Sequence, residues 1–346
     1  MTVYEFDPTK DERWEDLLRE HPQACVFHTS EWLEALRRTY NFAPIAITTS
    51  PPGIPLANGL PLCQIRSWLS GHRLVSLPFS DHCQPLVGSS DELHYLLTYL
   101  RNKRNSERWN YIEIRPTDPV LADGAGFKKS QVFLYHKLDL RRSLNDIVQN
   151  LHKNCVKRKL QRAEREGVVC ESGRANSLLT KFYNLLLTTR RRHGLPAQPI
   201  NWFQNLIACL GERVKIWVAS KDGRAIAGIL TLCYKQVLVY KYGCSDHRFN
   251  NLGGTQLLLW RAIEEAKEGR LSEFDLGRSD YDNPGLVAFK DRWGANRTEL
   301  TYFRYPRRHF DQATKAGRIL ISKHVWSHVP TSVLAAAGRA LYKHMG

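Results

Sequence analysis

The chain has 346 residues, 42% of them apolar, and a formal net charge of +16. That length suits two domains with real cores, and no window approaches the ~20 uninterrupted apolar residues that a membrane-spanning helix needs. The excess of Lys and Arg excludes indifference to polyanions: nucleic acid, anionic lipid headgroups and phosphorylated small molecules are all expected to be attracted.

The opening, MTVYEFDPTKDERWEDLL, is acidic and lacks the basic and apolar regions of a signal peptide, so a cytoplasmic location is expected. Eight cysteines are scattered without a Cys-x-x-Cys pair, which speaks against a zinc site and, in the cytoplasm, against disulfides. SEWLEALRRTY (30–40) reads as a helix with Ser30 as its N-cap. PIAITTS, LANGLPLCQI and HRLVSLPFS follow as strands, SDELHYLLTYLRNKRN as a helix, then YIEIRP and FLYHKLDL as two further strands.

Next comes a basic helix, Lys153 to Arg165, with six Lys or Arg against one Glu. Its stripe of Leu151, Val156, Leu160 and Ala163 leaves Lys157, Arg158, Lys159 and Arg162 around the other side, open to polyphosphate or tRNA, or simply to water. NSLLTKFYNLLLTTRRRHG and INWFQNLIACLG are helices; Arg190–Arg192 suit a helix C-terminus through the dipole alone. RVKIWVAS, RAIAGILTLCY and QVLVYKYGCS are strands, with Lys221-Asp222-Gly223 as a turn. Gly253-Gly254 opens the helix TQLLLWRAIEEAKEG, and EFDLG and ELTYFRY are the last strands.

The second half repeats the element order of the first, which points to duplication. The expected architecture is mixed α+β: a module over 1–140, a second over 141–305 carrying the site, and a basic amphipathic helical tail over 306–346. Each module is expected to be a mostly antiparallel twisted sheet flanked by helices. The tail holds seven Lys or Arg against Asp311 alone, so it could lie on an anionic membrane or pack on the second module.

FDLGRSDYDNPGLVAFKDRWGA (274–295) is read as an irregular loop with a cation near either end, Arg278 and Lys290. Together with VFHTSEWLEAL, LPFSDHCQPLV, LHKNCVKRKLQRAEREGVV and TRRRHGLP, it resembles the FemAB-like and BioF2-like acyltransferases of the GNAT superfamily. Phe289-Lys290-Asp291-Arg292-Trp293-Gly294 is similar to that family's Phe-Lys-x-x-x-Gly without a gap. The resemblance implies tandem GNAT-like modules and acyl transfer to an amine. Lys290 would be an electrostatic stabiliser, Arg278 a second cation, and Asp275 and Asp280 orienting or proton-handling groups. It further implies substrate contacts from Phe289, Ser279, Tyr242, Asp81, Lys157 and Arg158, and a donor site at Gly253 and Gly254.

The donor would be acetyl-CoA or aminoacyl-tRNA, with no tightly bound cofactor and no metal. Acyl-CoA enzymes of this fold grip pyrophosphate with amides at a helix N-terminus, and Arg248–Thr255 keeps the glycines of that segment with degenerate spacing. The two-helix arm that some Fem transferases use for tRNA is absent. The resemblance implies an anionic envelope or polysaccharide precursor as acceptor, at the inner face of the membrane. Two rival expectations stand beside it: an acetyl-CoA-dependent acetyltransferase of a small-molecule amine, and a non-catalytic scaffold in envelope assembly.

Overall fold

The computed structural model describes residues 2–118, 125–306 and 329–346. The described chain forms two compact units: residues 2–133, 299–306 and 340–346 in one, 134–298 and 329–339 in the other. No described helix is long and apolar enough to cross a membrane. Most of the tail expected over 306–346 lies outside the described residues.

In the first unit, helices α1 (Glu12–Glu20) and α2 (Ser30–Tyr40) precede a sheet built from β1 (Tyr4–Phe6), β2 (Ala43–Thr48), β3 (Leu60–Ser67), β4 (Gly71–Val75) and β5 (Tyr111–Ile114). Neighbouring strands are antiparallel from β1 to β4, and β4 pairs with β5 in parallel. A parallel pair needs a crossover, supplied by α3 (Ser90–Lys103). Ser89 caps that helix by accepting from the Glu92 N–H, Asp91 and Glu92 sit in its first turn and Arg101 and Lys103 in its last, which suits the helix dipole. Leu93, Leu96, Leu97 and Leu100 pack its inner face against Ile112, Ile114 and Trp109. The cap of α2 is Thr29 rather than the expected Ser30: the Thr29 side chain accepts from the Trp32 N–H, while Ser30 donates to Glu15 and the Pro8 carbonyl.

In the second unit, α4 (Leu144–Asn150), a π turn at Lys153–Lys157 and α5 (Arg158–Arg165) lead to β7 (Val169–Gly173). After α6 (Asn176–Arg192) and α7 (Ile200–Leu210) come β8 (Val214–Lys221), β9 (Arg224–Tyr234) and β10 (Val237–Ser245), then α8 (Gly254–Glu268) and β11 (Glu273–Ser279). The β8–β9 hairpin turns on Asp222 and Gly223, both at positive φ, as a two-residue hairpin requires. From β7 to β10 the pairing is antiparallel, and β10 meets β11 in parallel across the α8 crossover. The expected repeat is thus present as a topology: an antiparallel meander, a helix, a parallel strand. The buried stripe expected on the basic helix is found at Leu151, Val156 and Ala163, with Leu160 partly buried.

Two strands change hands between the expected modules. β12 (Asn296–Tyr305), expected to end the second module, pairs through Phe303–Tyr305 with Ile112–Ile114 of β5. β6 (Lys128–Asp139) contains the strand expected in the first module, yet Leu134–Asp139 pair with β11. Alternation alone shows that a segment is a strand and not which neighbour takes it, because either sheet offers the same ladder.

The expected loop 274–295 is also corrected: it contains helix α9, Pro284–Asp291. Asn283 caps it by accepting from the Leu286 N–H, and Pro284 occupies its first turn, where a missing N–H costs nothing.

Candidate active site

The parallel ladder between β10 and β11 covers only Val237–Val239 against Glu273–Asp275. Just beyond it both strands are irregular, β10 between Tyr240 and Tyr242 and β11 between Asp275 and Gly277. Each bulge turns its strand towards its other partner, so the β11-facing edge of residues 240–245 has no strand beside it. Asp275 stabilises the β11 bulge: buried, it accepts from the Gly277 N–H at 2.7 Å and from the Tyr135 hydroxyl at 2.9 Å.

Among its described residues the first unit shows no such opening. Past the β4–β5 ladder, the Ser76 N–H still donates to the Glu113 carbonyl and the Cys83 N–H to that of Arg115. The Glu113 carboxylate is buried between Arg115 and Arg304. Burial alone would raise its pKa, but the two guanidinium groups outweigh it and hold the carboxyl below its usual range.

A cleft of about 440 Å³ lies in the second unit where β10 and β11 part. Leu286 and Phe289 of α9 give it an apolar wall, and Lys159, Arg192, His193 and Arg292 line it with no Asp or Glu among the described lining residues. An anion entering there meets cations in a partly enclosed space, where charge attraction is screened less than at an open surface. Tyr240 and Gly243 also line the cleft, and a side chain at Gly243 would place its Cβ 1.7 Å from the Tyr240 hydroxyl oxygen. Burial, aided by Cys244, pushes the Tyr240 pKa up, so its hydroxyl stays protonated and can donate.

Gly254 and Thr255, at the start of α8, line the cleft too. Asp246 accepts the Arg248 guanidinium in a two-pronged pair at 2.9 and 2.6 Å, with Arg224 at 3.4 Å. The hydrogen bonds from Arg248 hold its carboxyl down to about 2. Gly253 has φ +76, and a Cβ on it would lie 2.3 Å from the Lys159 carbonyl oxygen. Lys159 Nζ reaches the Asn250 carbonyl at 3.1 Å. Of the two glycines, Gly254 therefore faces the cleft, whereas Gly253 lets α5 sit against α8.

Lys290 is 2% exposed and is not among the lining residues. Its Nζ donates to the carbonyls of Gly277 at 2.9 Å and Arg278 at 2.7 Å. Phe289, Arg292 and Gly254 come together at the cleft; Ser279 is buried with no hydrogen-bond partner on Oγ among the described residues, and Asp280 is exposed. Half-buried Arg278 stands opposite Tyr135 on β6. Tyr242 belongs to the core, accepting from Trp202 Nε1 at 2.8 Å. Lys157 donates to the Gln149 carbonyl at 3.3 Å, and Arg158 opens α5 one residue before the lining Lys159. Asp81 lies in the first unit, where its carbonyl accepts from the Tyr302 hydroxyl.

Sequence reasoning passed over His193, Arg292 and Tyr240, and it gave Arg192 only a helix-end role. It also missed His136 on β6. That imidazole is fully buried, with Nε2 3.2 Å from Asp291 and no partner on Nδ1 among the described residues. Burial and the nearby Lys290 lower its pKa, against the pull of Asp291, so it is held neutral. A single His between Tyr and Lys in an alternating strand carries nothing that would single it out.

Residues 151–315 match the acetyltransferase (GNAT) domain family. Over 213 residues the chain is 25% identical to a UDP-N-acetylmuramoylpentapeptide-lysine N(6)-alanyltransferase of Weissella viridescens; the match covers 60% of this chain and 59% of that enzyme. The chain is similar to the crystal structure of FemX with a TM-score of 0.70 at 16% identity, over 88% of this chain and 97% of that one. It is also similar to the C-terminal domain of a putative lysylphosphatidylglycerol synthetase from Agrobacterium fabrum, with a TM-score of 0.57 at 14% identity over 85% and 90%. The fold is therefore that of FemX, as the resemblance in residues implied.

Proposed function

We propose, from the match of residues 151–315 to the acetyltransferase (GNAT) domain family, that the protein is an N-acyltransferase. It passes an aminoacyl or acetyl group to an amine on a phosphate-bearing precursor of the cell envelope or its polysaccharides. The observation that carries this reading is the cleft at the divergence of β10 and β11, lined by four basic side chains and, among the described residues, no carboxylate. Its chemistry suits a donor or acceptor that carries phosphates. The alanyltransferase of Weissella viridescens supports the acceptor class, since its name describes transfer to a lysine amine on a nucleotide-linked muropeptide.

In this reading the acyl carbonyl lies against Phe289 and Leu286, and the phosphates of the donor meet Lys159, Arg192 and Arg292. The protonated Tyr240 hydroxyl gives its proton to the departing oxygen or sulfur as the acyl–donor bond breaks, and the proton shed by the attacking amine restores it. Lys290 is a positioning residue: by holding two carbonyls at the end of β11 it fixes the strand that diverges from β10. Positioning of this kind can account for much of the rate of an acyl transfer.

Two donors suit the cleft. Aminoacyl-tRNA is favoured by the chain's charge; acetyl-CoA is favoured by the start of α8, whose Gly254 and Thr255 line the cleft. The deciding experiment is equilibrium binding of acetyl-CoA and of charged tRNA at several salt concentrations. A tRNA donor should lose affinity steeply with salt, by counterion release. Absence of binding by either donor at low salt would defeat the acyltransferase reading and leave a scaffold.

A further inference from the structure

The hairpin between β3 and β4 turns through Ser67-Trp68-Leu69-Ser70-Gly71, and Trp68 at its tip is 84% exposed. Single exposed apolar residues are ordinary, but no other large apolar side chain among the described residues is as exposed. The tip is firmly built. Ser67 Oγ accepts from the N–H groups of Leu69 at 3.1 Å and Ser70 at 2.9 Å, and lies 2.9 Å from His344 Nδ1. Ser70 Oγ donates to the His344 carbonyl at 2.9 Å, and Arg73 donates to the carbonyls of His344 and Gly346. The indole meets the His344 ring edge-on at 5.4 Å, so it is propped outward rather than covered.

Cations stand beside it. Arg66 and Arg108 line an open hollow with Trp68 and His72, whose pKa burial and the nearby Arg66 lower, and Glu107 is the one carboxylate among the described lining residues. Beside His344, Lys343 is exposed and Met345 is 44% exposed. We propose that this hairpin is a contact for an anionic bilayer: Trp68 and Leu69 enter the headgroup region, and Arg66, Arg108 and Lys343 pair with lipid phosphates. Tryptophan suits that depth, with an apolar ring and a polar N–H, and basic residues near a membrane gain from its negative potential. A single-stranded nucleic acid fits less well, because such sites present successive rings for stacked bases. The first unit shows no second exposed Phe, Tyr or Trp among its described residues.

The test is co-sedimentation of the full chain with vesicles of phosphatidylcholine alone or mixed with phosphatidylglycerol. Wild type should bind the mixed vesicles, bind phosphatidylcholine weakly, and be released by salt within the range where surface charges are screened. Trp68→Ser should weaken binding about tenfold with an unchanged melting temperature, and Arg66→Glu with Arg108→Glu should remove most of the preference for anionic lipid. Equal vesicle binding by wild type and Trp68→Ser would overturn the proposal, since another basic segment would then carry the contact. So would absence of vesicle binding combined with tight, Trp68-dependent binding of a single-stranded RNA oligonucleotide.

Discussion

Lys290 reaches back thirteen residues to the carbonyl of Gly277, and its ammonium group is closed off from water at that point. A buried cation is tolerated when nearby oxygens replace its hydration, and here the second oxygen is the Arg278 carbonyl. Gly277, at φ +72, follows directly on the bulge that starts the divergence of β11 from β10. The lysine therefore ties α9 to the strand whose departure opens the cleft.

Lys290→Met should leave both carbonyls short of a donor and destabilise the fold by about 2–6 kcal/mol, at about 1–3 kcal/mol for each buried group left unsatisfied. Urea unfolding measures that loss. Turnover should fall at least about tenfold through misplacement of α9. Full activity in Lys290→Met would show that the tie does not position the site.

Neutralising the cleft should act on binding. Arg192→Ala and Arg292→Ala should each weaken donor affinity about tenfold. If the donor is tRNA, the slope of log Kd against log salt should become shallower by about one for each phosphate that is no longer neutralised. Affinity and slope unchanged in both variants would remove the cleft from consideration as the donor site.

Gly253→Ala combines an unfavourable positive φ with a collision against a backbone carbonyl, which cannot swing away as a side-chain tip can. A cost of about 2 kcal/mol is expected. Gly88→Ala, where the new Cβ meets only Glu92 at 3.5 Å, should change stability by less than about 0.5 kcal/mol. The pair of urea midpoints checks both, and equal midpoints would contradict the packing described for α5 on α8.

Acid should reveal Asp246. Its folded pKa, about 2, lies below the ordinary 3.8 because Arg248 donates to the carboxylate. Its stabilisation is therefore complete above about 3.8 and is lost as pH falls from there towards 2. Asp246→Asn should make stability less dependent on pH in that window, as read by thermal melts at stepped pH. An unaltered acid slope would mean that the pair with Arg248 does not persist in solution.

The periodicities of SDELHYLLTYLRNK and of TQLLLWRAIEEAKE were sufficient to find α3 and α8, since their apolar faces match the cores they meet. Phe289 and Gly254 were legible from their likeness to a family pattern. Helix α9 was not, because Asp-Asn-Pro-Gly reads as a turn, and only the Asn283 cap and the burial of Val287 and Lys290 make NPGLVAFKD helical. Arg292, His193 and Tyr240 escaped for a different reason. They come from three separate elements and meet only because two bulged strands part, and a bulge leaves no mark in an alternating sequence.

The exchange of β6 and β12 bears on how the protein is made. The sheet of the first unit lacks its last antiparallel neighbour until Phe303–Tyr305 have been synthesised, long after β1–β5. A nascent chain stopped near residue 140 would expose the edge of β5, and unpaired edges invite pairing with other chains. An expression clone cut between the expected modules should thus yield two insoluble halves, whereas co-expression of the halves gives each the strand that it lacks.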